Sequence, residues 1–308
     1  LCTYNRCRTL EKALESVAAS EVPSSIGWEV LVVDNNSRDE TRAMAEKFCL
    51  RYPGRFRYLF ERQAGKSFAL NAGIQKAEGD VLAFMDDDVI VEKTWLQNLT
   101  APFLSGPWAG TGGRILPERT FVPPRWLSVE GRYALAPFAL FNLGPQAEEL
   151  TEAPFGTNMA FRKEMFLKHG NFRTDLGPRP GSEIRNEDTE FGARLLAAGE
   201  RFWYEPAAVV YHPVADTRVT KSYLLTWWFD KARADVRELG ATQETNSSIA
   251  GIPTYIFPRF AAWIARWMVS ASPARRFTCK VKVWSTAGTM TEYYRKSKAR
   301  EINHAKQS

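Results

Sequence analysis

The run GDVLAFMDDDVIV, residues 79–91, decides how the rest of the chain is read. An apolar stretch from Val81 to Met85 delivers three consecutive carboxylates, Asp86, Asp87 and Asp88, and apolar sequence resumes at Val89. This is the pattern of a buried strand that ends where negative charge must gather. Open α/β sheets bind ligands at the carboxyl ends of their strands. Charge clustered there costs free energy unless a positive group offsets it. Oxygen ligands of the Asp type suit Mg²⁺ or Mn²⁺. A polar turn with an Asp N-cap would account for one such residue, whereas three in a row favour a cation.

Outward from this run, residues 1–110 alternate short apolar runs with amphipathic segments, as βα units on a mostly parallel sheet do. Leu1 to Arg6 is a strand tip and loop, followed by a helix from about Thr9 to Ser20 with Leu10, Ala13, Leu14, Val17 and Ala18 at helical spacing. Glu29 to Val33 is a strand ending in a further carboxylate, Asp34, and Ser37 or Asp39 can cap the helix that runs through Cys49. Phe56 to Phe60 is a third strand. Gly65-Lys66-Ser67 opens a helix to about Lys76, whose free N–H groups, with Lys66, are expected to form an anion site. It is not a P-loop, because Phe60 stands where the first glycine of that motif would be. Two strand ends thus carry acid, with a basic loop between them in sequence. A nucleotide fits that inventory: Asp34 can accept from a base or ribose, and a cation with Lys66 can neutralise a diphosphate. For Asp34 alone an Asx turn is the other reading.

With 308 residues the chain holds one large domain or two smaller ones, and 44% hydrophobic with 25% charged residues is ordinary for a globular protein. Cys2, Cys7, Cys49 and Cys279 form no CxxC pair, which points to a reducing compartment. The opening Leu1-Cys2-Thr3 looks like the inside of a strand, so a preceding piece is expected. The net charge of +6 is uneven: residues 216–308 carry 16 Lys/Arg against 7 Asp/Glu, and residues 1–215 carry 25 against 28. Chemistry in front and an anionic surface met behind is the division this suggests.

Four segments together resemble family-2 glycosyltransferases of the GT-A fold: CTYNR at 2–6, LVVDNNSRDET at 31–41, GKSFALNAGIQKAEGDVLAFMDDDV at 65–89 and NEDTEFGARLLAAG at 186–199. The likeness covers roughly the first two thirds of the chain. It implies an α/β fold of Rossmann-like GT-A type, a mostly parallel mixed sheet flanked by helices, in a catalytic domain of residues 1–215. It also implies roles. Thr3, Tyr4 and Asp34 would hold base and ribose, and Lys66, Asn71, Asp86 and Asp87 would line the nucleotide-sugar site. Asp86 and Asp88 match the DxD motif, with Asp88 the ligand of a Mn²⁺ or Mg²⁺ that bridges the diphosphate. Gly156, Thr157 and Asn158 would lie beside donor sugar and acceptor. Asp188 would be the general base on an attacking hydroxyl, as inverting transfer requires, with Glu187 supporting it; read without the resemblance, this pair is an acidic first helix turn. His212, ending the short strand from Val209, would complete the metal shell. His169 before Gly170 is read as a helix-end residue instead.

The remaining segments are less telling. Trp108, Trp126 and Tyr133 are open to two readings, sugar platform or packing, and Trp108 is kept as a candidate. Residues 216–308 form a basic, aromatic-rich helical extension. In it Ser222 to Leu239 is an amphipathic helix with Tyr223, Trp227, Ala234 and Leu239 inward, and the Tyr293 to Lys306 tail is expected to fray. Ile252 to Ala271 is apolar but broken by Pro258, Arg259 and Arg266, too interrupted to span a bilayer. A helix lying in a bilayer interface and a subdomain packed on the catalytic part are both open.

The function expected is hexosyl transfer from a nucleotide-diphospho-sugar, UDP-sugars first, to a carbohydrate or lipid-linked hydroxyl in polysaccharide or glycolipid synthesis. The cytoplasmic side of the cell membrane is the expected place, with no nucleic-acid partner. Nucleotidyl transfer to a sugar phosphate, or an inactive carbohydrate- or membrane-binding module, are the rival readings. A glycosidase would leave the phosphate-friendly loop idle.

Overall fold

The computed structural model describes residues 1–131, 133–182, 184–239 and 247–307, with side chains described as far as Ile302. Contacts divide the chain into two units, Leu1–Thr120 with Phe138–Ser182 and Glu187–Val214, and Phe121–Pro137 with Glu183–Asn186 and Ala215–Ser308.

The first unit begins with alternating strands and helices: β1 (Cys2–Thr3), α1 (Cys7–Ala18), β2 (Val30–Asp34), α2 (Thr41–Arg51), β3 (Phe56–Phe60) and α3 (Lys66–Lys76). The helices form because apolar residues recur at helical spacing; in α1, Leu10, Ala13, Leu14 and Val17 make one buried stripe. β1, β2 and β3 pair in parallel, so their carboxyl ends, Thr3, Asp34 and Phe60, lie in register at one edge.

Next come β4 (Val81–Met85), β5 (Ile90–Val91), α4 (Trp95–Thr100), α5 (Pro102–Ser105), β6 (Gly110–Pro117), β7 (Glu148–Leu150), β8 (Asn158–Arg162), α6 (Lys163–His169), α7 (Glu187–Ala197) and β9 (Phe202–His212). Six of these are strands of a second sheet in the order β4-β8-β6-β9-β5, with β7 on β9. β6 and β9 run parallel and the other pairs antiparallel, which makes this sheet mixed.

Two registers in that sheet place the candidate chemistry. Met85 pairs with Asn158, so Asp86 emerges beside Thr157 and Gly156. Ile90 pairs with Tyr211, so the antiparallel continuation carries Asp88 back to His212. An aromatic cluster holds α6 and α7 against β4, β8 and β9: the rings of Phe166 and Phe191 stack 4.4 Å apart, and Phe161 meets Phe191 edge-on at 5.1 Å. With Leu195 fully buried as well, the first turn of α7 is fixed by packing on the sheet rather than by its own acidic residues.

The same registers correct the reading of Trp108. It precedes Gly110, which pairs with Phe161 towards the Val81 end of β4, the opposite end from Asp86. There its ring packs on Trp203 at 4.7 Å with Arg201 above it at 4.6 Å. It is a packing residue, remote from the carboxylates because one strand length separates them.

The second unit holds α8 (Lys221–Glu238), a hairpin of β10 (Ser248–Ile249) and β11 (Ile252–Pro253), α9 (Ile256–Val269) and α10 (Pro273–Gln307). α8 and α10 approach closely at Gly288, where a Cβ would lie 2.2 Å from the Phe229 carbonyl oxygen. Nearby, buried Glu292 accepts from Arg233 at 3.1 Å and Arg237 at 2.6 Å. The expected fraying of residues 293–306 is not found: α10 is one helix of 35 residues through Gln307. Leu239, expected to face inward, is 50% exposed because α8 ends one residue before it. Trp126 packs edge-on against Phe277 at 4.9 Å.

Candidate active site

Lys66 sits at the first position of α3, and its Nζ reaches Asp86 at 3.0 Å and Glu187 at 3.4 Å. Three segments far apart in sequence therefore meet at one ammonium group. Burial works against charge on Lys66, but Asp86, Glu187 and Asp188 outweigh it and hold its pKa well above the ordinary lysine value. Asp86 is also desolvated, yet Lys66 and the Thr157 hydroxyl, which donates at 2.7 Å, hold its pKa well below the usual carboxylate range. Glu187 goes the other way. Burial is the main cause and the neighbouring Asp188 adds to it, so its pKa is raised although Lys66 opposes the shift.

Asp188 accepts from the Gly156 amide at 2.8 Å through Oδ2 and from the Thr189 amide at 2.8 Å through Oδ1. A Cβ at position 156 would stand 2.6 Å from Asp188 Oδ2, so any larger residue there would displace that carboxylate. A cleft is lined by Lys66, Asp86, Gly156, Glu187 and Asp188, with Cys2 and Phe84 among its other walls. Its carboxylates differ in burial: Glu187 is 4% exposed, while Asp188 is only partly covered.

The Asp87–Asp88 side of the cluster is balanced by Arg6, in the loop after β1. Its Nη1 donates to Asp88 Oδ2 at 2.7 Å and to Asp87 Oδ1 at 3.0 Å. Asp87 is nearly buried, and burial pushes its pKa up to about 6 against the pull of Arg6. The other oxygen of Asp88, Oδ1, is buried with no hydrogen-bond partner among the described residues and lies 3.6 Å from His212 Nε2. That pairing, a hard oxygen beside an imidazole, is a donor set that fits Mn²⁺. Among the described residues no group of three or more His, Cys, Asp and Glu side chains is arranged to hold a metal. A Mg²⁺-type site built on one or two carboxylates takes its remaining oxygens from substrate phosphates and water.

On the β2 side, Asp34 is buried and accepts from Tyr58 Oη at 2.9 Å and the Ser37 amide at 2.9 Å. Thr3 lies beside it across the β1–β2 pair, and Tyr4 next in the loop is 42% exposed. The loop is fixed to its neighbour by Asn5 and Ser37, with the Asn5 amide donating to Ser37 Oγ at 2.9 Å.

Three expectations change. The start of α3 offers fewer free N–H groups than expected: the Gly65 amide donates to Asn35 at 2.7 Å and the Lys66 amide to the Pro178 carbonyl at 2.9 Å, so the Lys66 side chain is the main cationic group there. Asn71 exchanges two hydrogen bonds with the main chain of Phe172, at 2.9 and 3.1 Å, and so braces that turn. Asn158 is fully buried, donating to the Arg114 and Ala208 carbonyls and accepting from Trp95 Nε1. Both its side-chain N–H groups are committed, and its full burial keeps it from a sugar. Arg6 was the functional side chain without a role in the sequence reading. Charge balance was its signal, because three carboxylates called for more cation than Lys66 supplies.

A parallel β1–β2–β3 layer beside a mixed sheet, with acidic groups gathered at strand ends, is the architecture of the GT-A glycosyltransferases. Structural comparison agrees. The mannosyltransferase PcManGT from Pyrobaculum calidifontis, in complex with GDP-Man and Mn²⁺, matches with a TM-score of 0.58 and 18% identity over 98% of this chain and 85% of that one. TarS 1–349 of S. aureus in complex with UDP matches at 0.50 and 17% over 96% and 90%. The profile for glycosyl transferase family 2 matches residues 1–170. The chain belongs to that family and is a glycosyltransferase. Among its relatives, the succinoglycan biosynthesis protein ExoM of Rhizobium meliloti (strain 1021) is 27% identical over 257 residues, 82% of this chain and 79% of that protein. The glucosyl-dolichyl phosphate glucuronosyltransferase of Haloferax volcanii is 25% identical over 256 residues, 80% of each.

Proposed function

We propose that the chain transfers a hexosyl group, with inversion, from a nucleotide-diphospho-sugar to a hydroxyl of a carbohydrate or lipid-linked acceptor in polysaccharide or glycolipid synthesis. The observation that carries this is the meeting of Asp86, Glu187 and Lys66, with Asp188 held at Gly156, around one cleft. Thr3, Tyr4 and Asp34 take the base and ribose, and a UDP-sugar is the donor to test first. The GDP-Man and UDP of two solved relatives support a nucleoside diphosphate as the leaving group. A relative named for succinoglycan biosynthesis and one named for a dolichyl phosphate acceptor support the acceptor class.

Asp188 is the base. Its position is set by two main-chain amides, and its partial exposure leaves it open to an incoming hydroxyl. Glu187 is more deeply buried and tied to Lys66, a positioning role. Asp86, Asp88 and His212 would hold Mn²⁺ or Mg²⁺, which when bound acts as Lewis acid to the departing diphosphate. Lys66 and Arg6 supply further positive charge on the same side. The four described cysteines are free thiols, which supports a cytoplasmic location.

The test is a donor screen read by product, with Mn²⁺ and with EDTA. Nucleoside diphosphate released with Mn²⁺ and not with EDTA is the expected result. Pyrophosphate release from a nucleoside triphosphate would replace sugar transfer by nucleotidyl transfer. In Asp88→Ala the difference in donor affinity between Mn²⁺ and EDTA should vanish; a persisting difference would overturn the metal assignment.

A further inference from the structure

α9 is built the wrong way round for a helix exposed to water. A surface helix normally turns polar residues outward. Here Pro258, Ala261, Ala265 and Met268 follow one another at intervals of three and four residues, and all are exposed. Met268 is 66% and the adjoining Val269 81% exposed. The opposite side of the helix meets α10, where Trp267 lies edge-on to Trp284 at 6.2 Å, so the outward face is not the one that α10 covers.

The charge around that face has one sign. Between Ser247 and Thr291 there are six Lys/Arg and no Asp or Glu. Arg259 and Arg266, seven residues apart, run along one edge of the apolar face, and Arg275 and Arg276 follow the turn out of α9; all four are exposed. Lys280 stands 5.3 Å from the Trp267 ring and 5.1 Å from the Trp284 ring. Arg233 and Arg237 of the same unit, by contrast, are paired with the buried Glu292.

From this geometry we infer that the outward face of α9 docks on an anionic bilayer. Met268, Val269 and the alanines enter the boundary between headgroups and acyl chains, and the arginines meet lipid phosphates and anionic headgroups. An amphipathic helix of this kind lies in the interface plane. Among the described residues no helix is long and apolar enough to cross a membrane. A second copy of the chain is the weaker occupant, because a two-fold contact sets the same surface against itself and would oppose arginine rows with no acid between them. The inference stands apart from the sugar-transfer reading and does not need it.

The experiment uses the full chain with vesicles of phosphatidylcholine alone and of phosphatidylcholine with phosphatidylglycerol, read by co-sedimentation. Binding is expected only to the anionic vesicles. It should weaken between 0.1 and 1 M salt as the screening length falls from about 10 to about 3 Å. M268E/V269E should abolish it. R275A/R276A should weaken it on the order of thirtyfold, taking about 1 kcal/mol per basic residue near the surface. Circular dichroism and melting curves matching the parent show that both variants are folded. Equal binding of parent and M268E/V269E, or no binding to anionic vesicles, overturns the inference. So does a concentration-dependent dimer, seen by analytical ultracentrifugation, that M268E/V269E converts to monomer.

Discussion

The candidate active site and α9 both concentrate charge, and they manage it in opposite ways. In the first unit every carboxylate of the cluster has a named partner: Lys66 for Asp86 and Glu187, Arg6 for Asp87 and Asp88, the Gly156 and Thr189 amides for Asp188. Lys66, Arg6 and Gly156 come from segments far in sequence from the carboxylates they meet, so the charge is balanced only once the chain has folded. Around α9 the charge is of one sign, exposed, and unbalanced by acid in its own stretch of sequence. Internal balance builds a preorganised site. Imbalance at the surface is balanced from outside.

The contrast can be broken most sharply at Asp188. Replacing it by Asn keeps an oxygen for the Gly156 amide but removes the base, so turnover should fall by about 10²–10⁴, the usual worth of general base catalysis. Donor affinity, measured by titration calorimetry, should stay nearly unchanged, since the interaction removed is one made only in the transition state. Normal turnover in Asp188→Asn would remove the assignment. Next in size is Lys66→Met, which leaves Asp86 and Glu187 facing each other without their shared cation. Stripping one partner from a buried pair costs on the order of 3 kcal/mol, so a clear drop in melting temperature is expected. An unchanged melting curve would mean that the cluster is not internally balanced.

Glu187 sharpens the comparison through pH. Its folded pKa is raised above the ordinary 4.5, chiefly by burial. The stability its neutral form contributes is therefore present below pH 4.5 and lost as pH rises through the raised folded value. Glu187→Gln should accordingly melt higher than the parent at neutral pH, and the gap should close as pH falls below 4.5. A gap of constant size across that range would sink the argument. The smallest effect is at Arg42, whose partner Glu46 lies one helix turn on at 2.8 Å with both side chains well exposed. Arg42→Ala should leave the melting temperature unchanged, because such surface pairs contribute little.

What could be read in the sequence follows from what is local. β3 and β4 run over the residues that their apolar runs delimit, and the first turns of α3 and α7 fall where Lys66 and Glu187 were placed. The carboxylates were legible because three in a row after an apolar run have few uses. The antiparallel β8 between β4 and β6 was not, since a strand's pairing partner leaves no trace in its own periodicity. Asn158 was misread for that reason: its burial comes from β6 and β9, supplied by segments more than forty residues away. β5 has two residues, too few to show any alternation. The rear helices were legible as helices, but which side of α9 would meet α10 was not, as both sides are apolar.

A strand of only two residues, β5, has a long reach. Ile90 and Val91 join Asp88 to a histidine 124 positions later through a ladder of only two residue pairs. Side chains alternate faces along a strand, so a slip of one residue turns each of them to the other side. Deleting or inserting a single residue between Val89 and Val91 would therefore shift the register that brings the turn carrying Asp88 beside His212. In engineered or natural variants, the spacing from Asp88 to Ile90 is a ruler by which a working copy can be told from a relic.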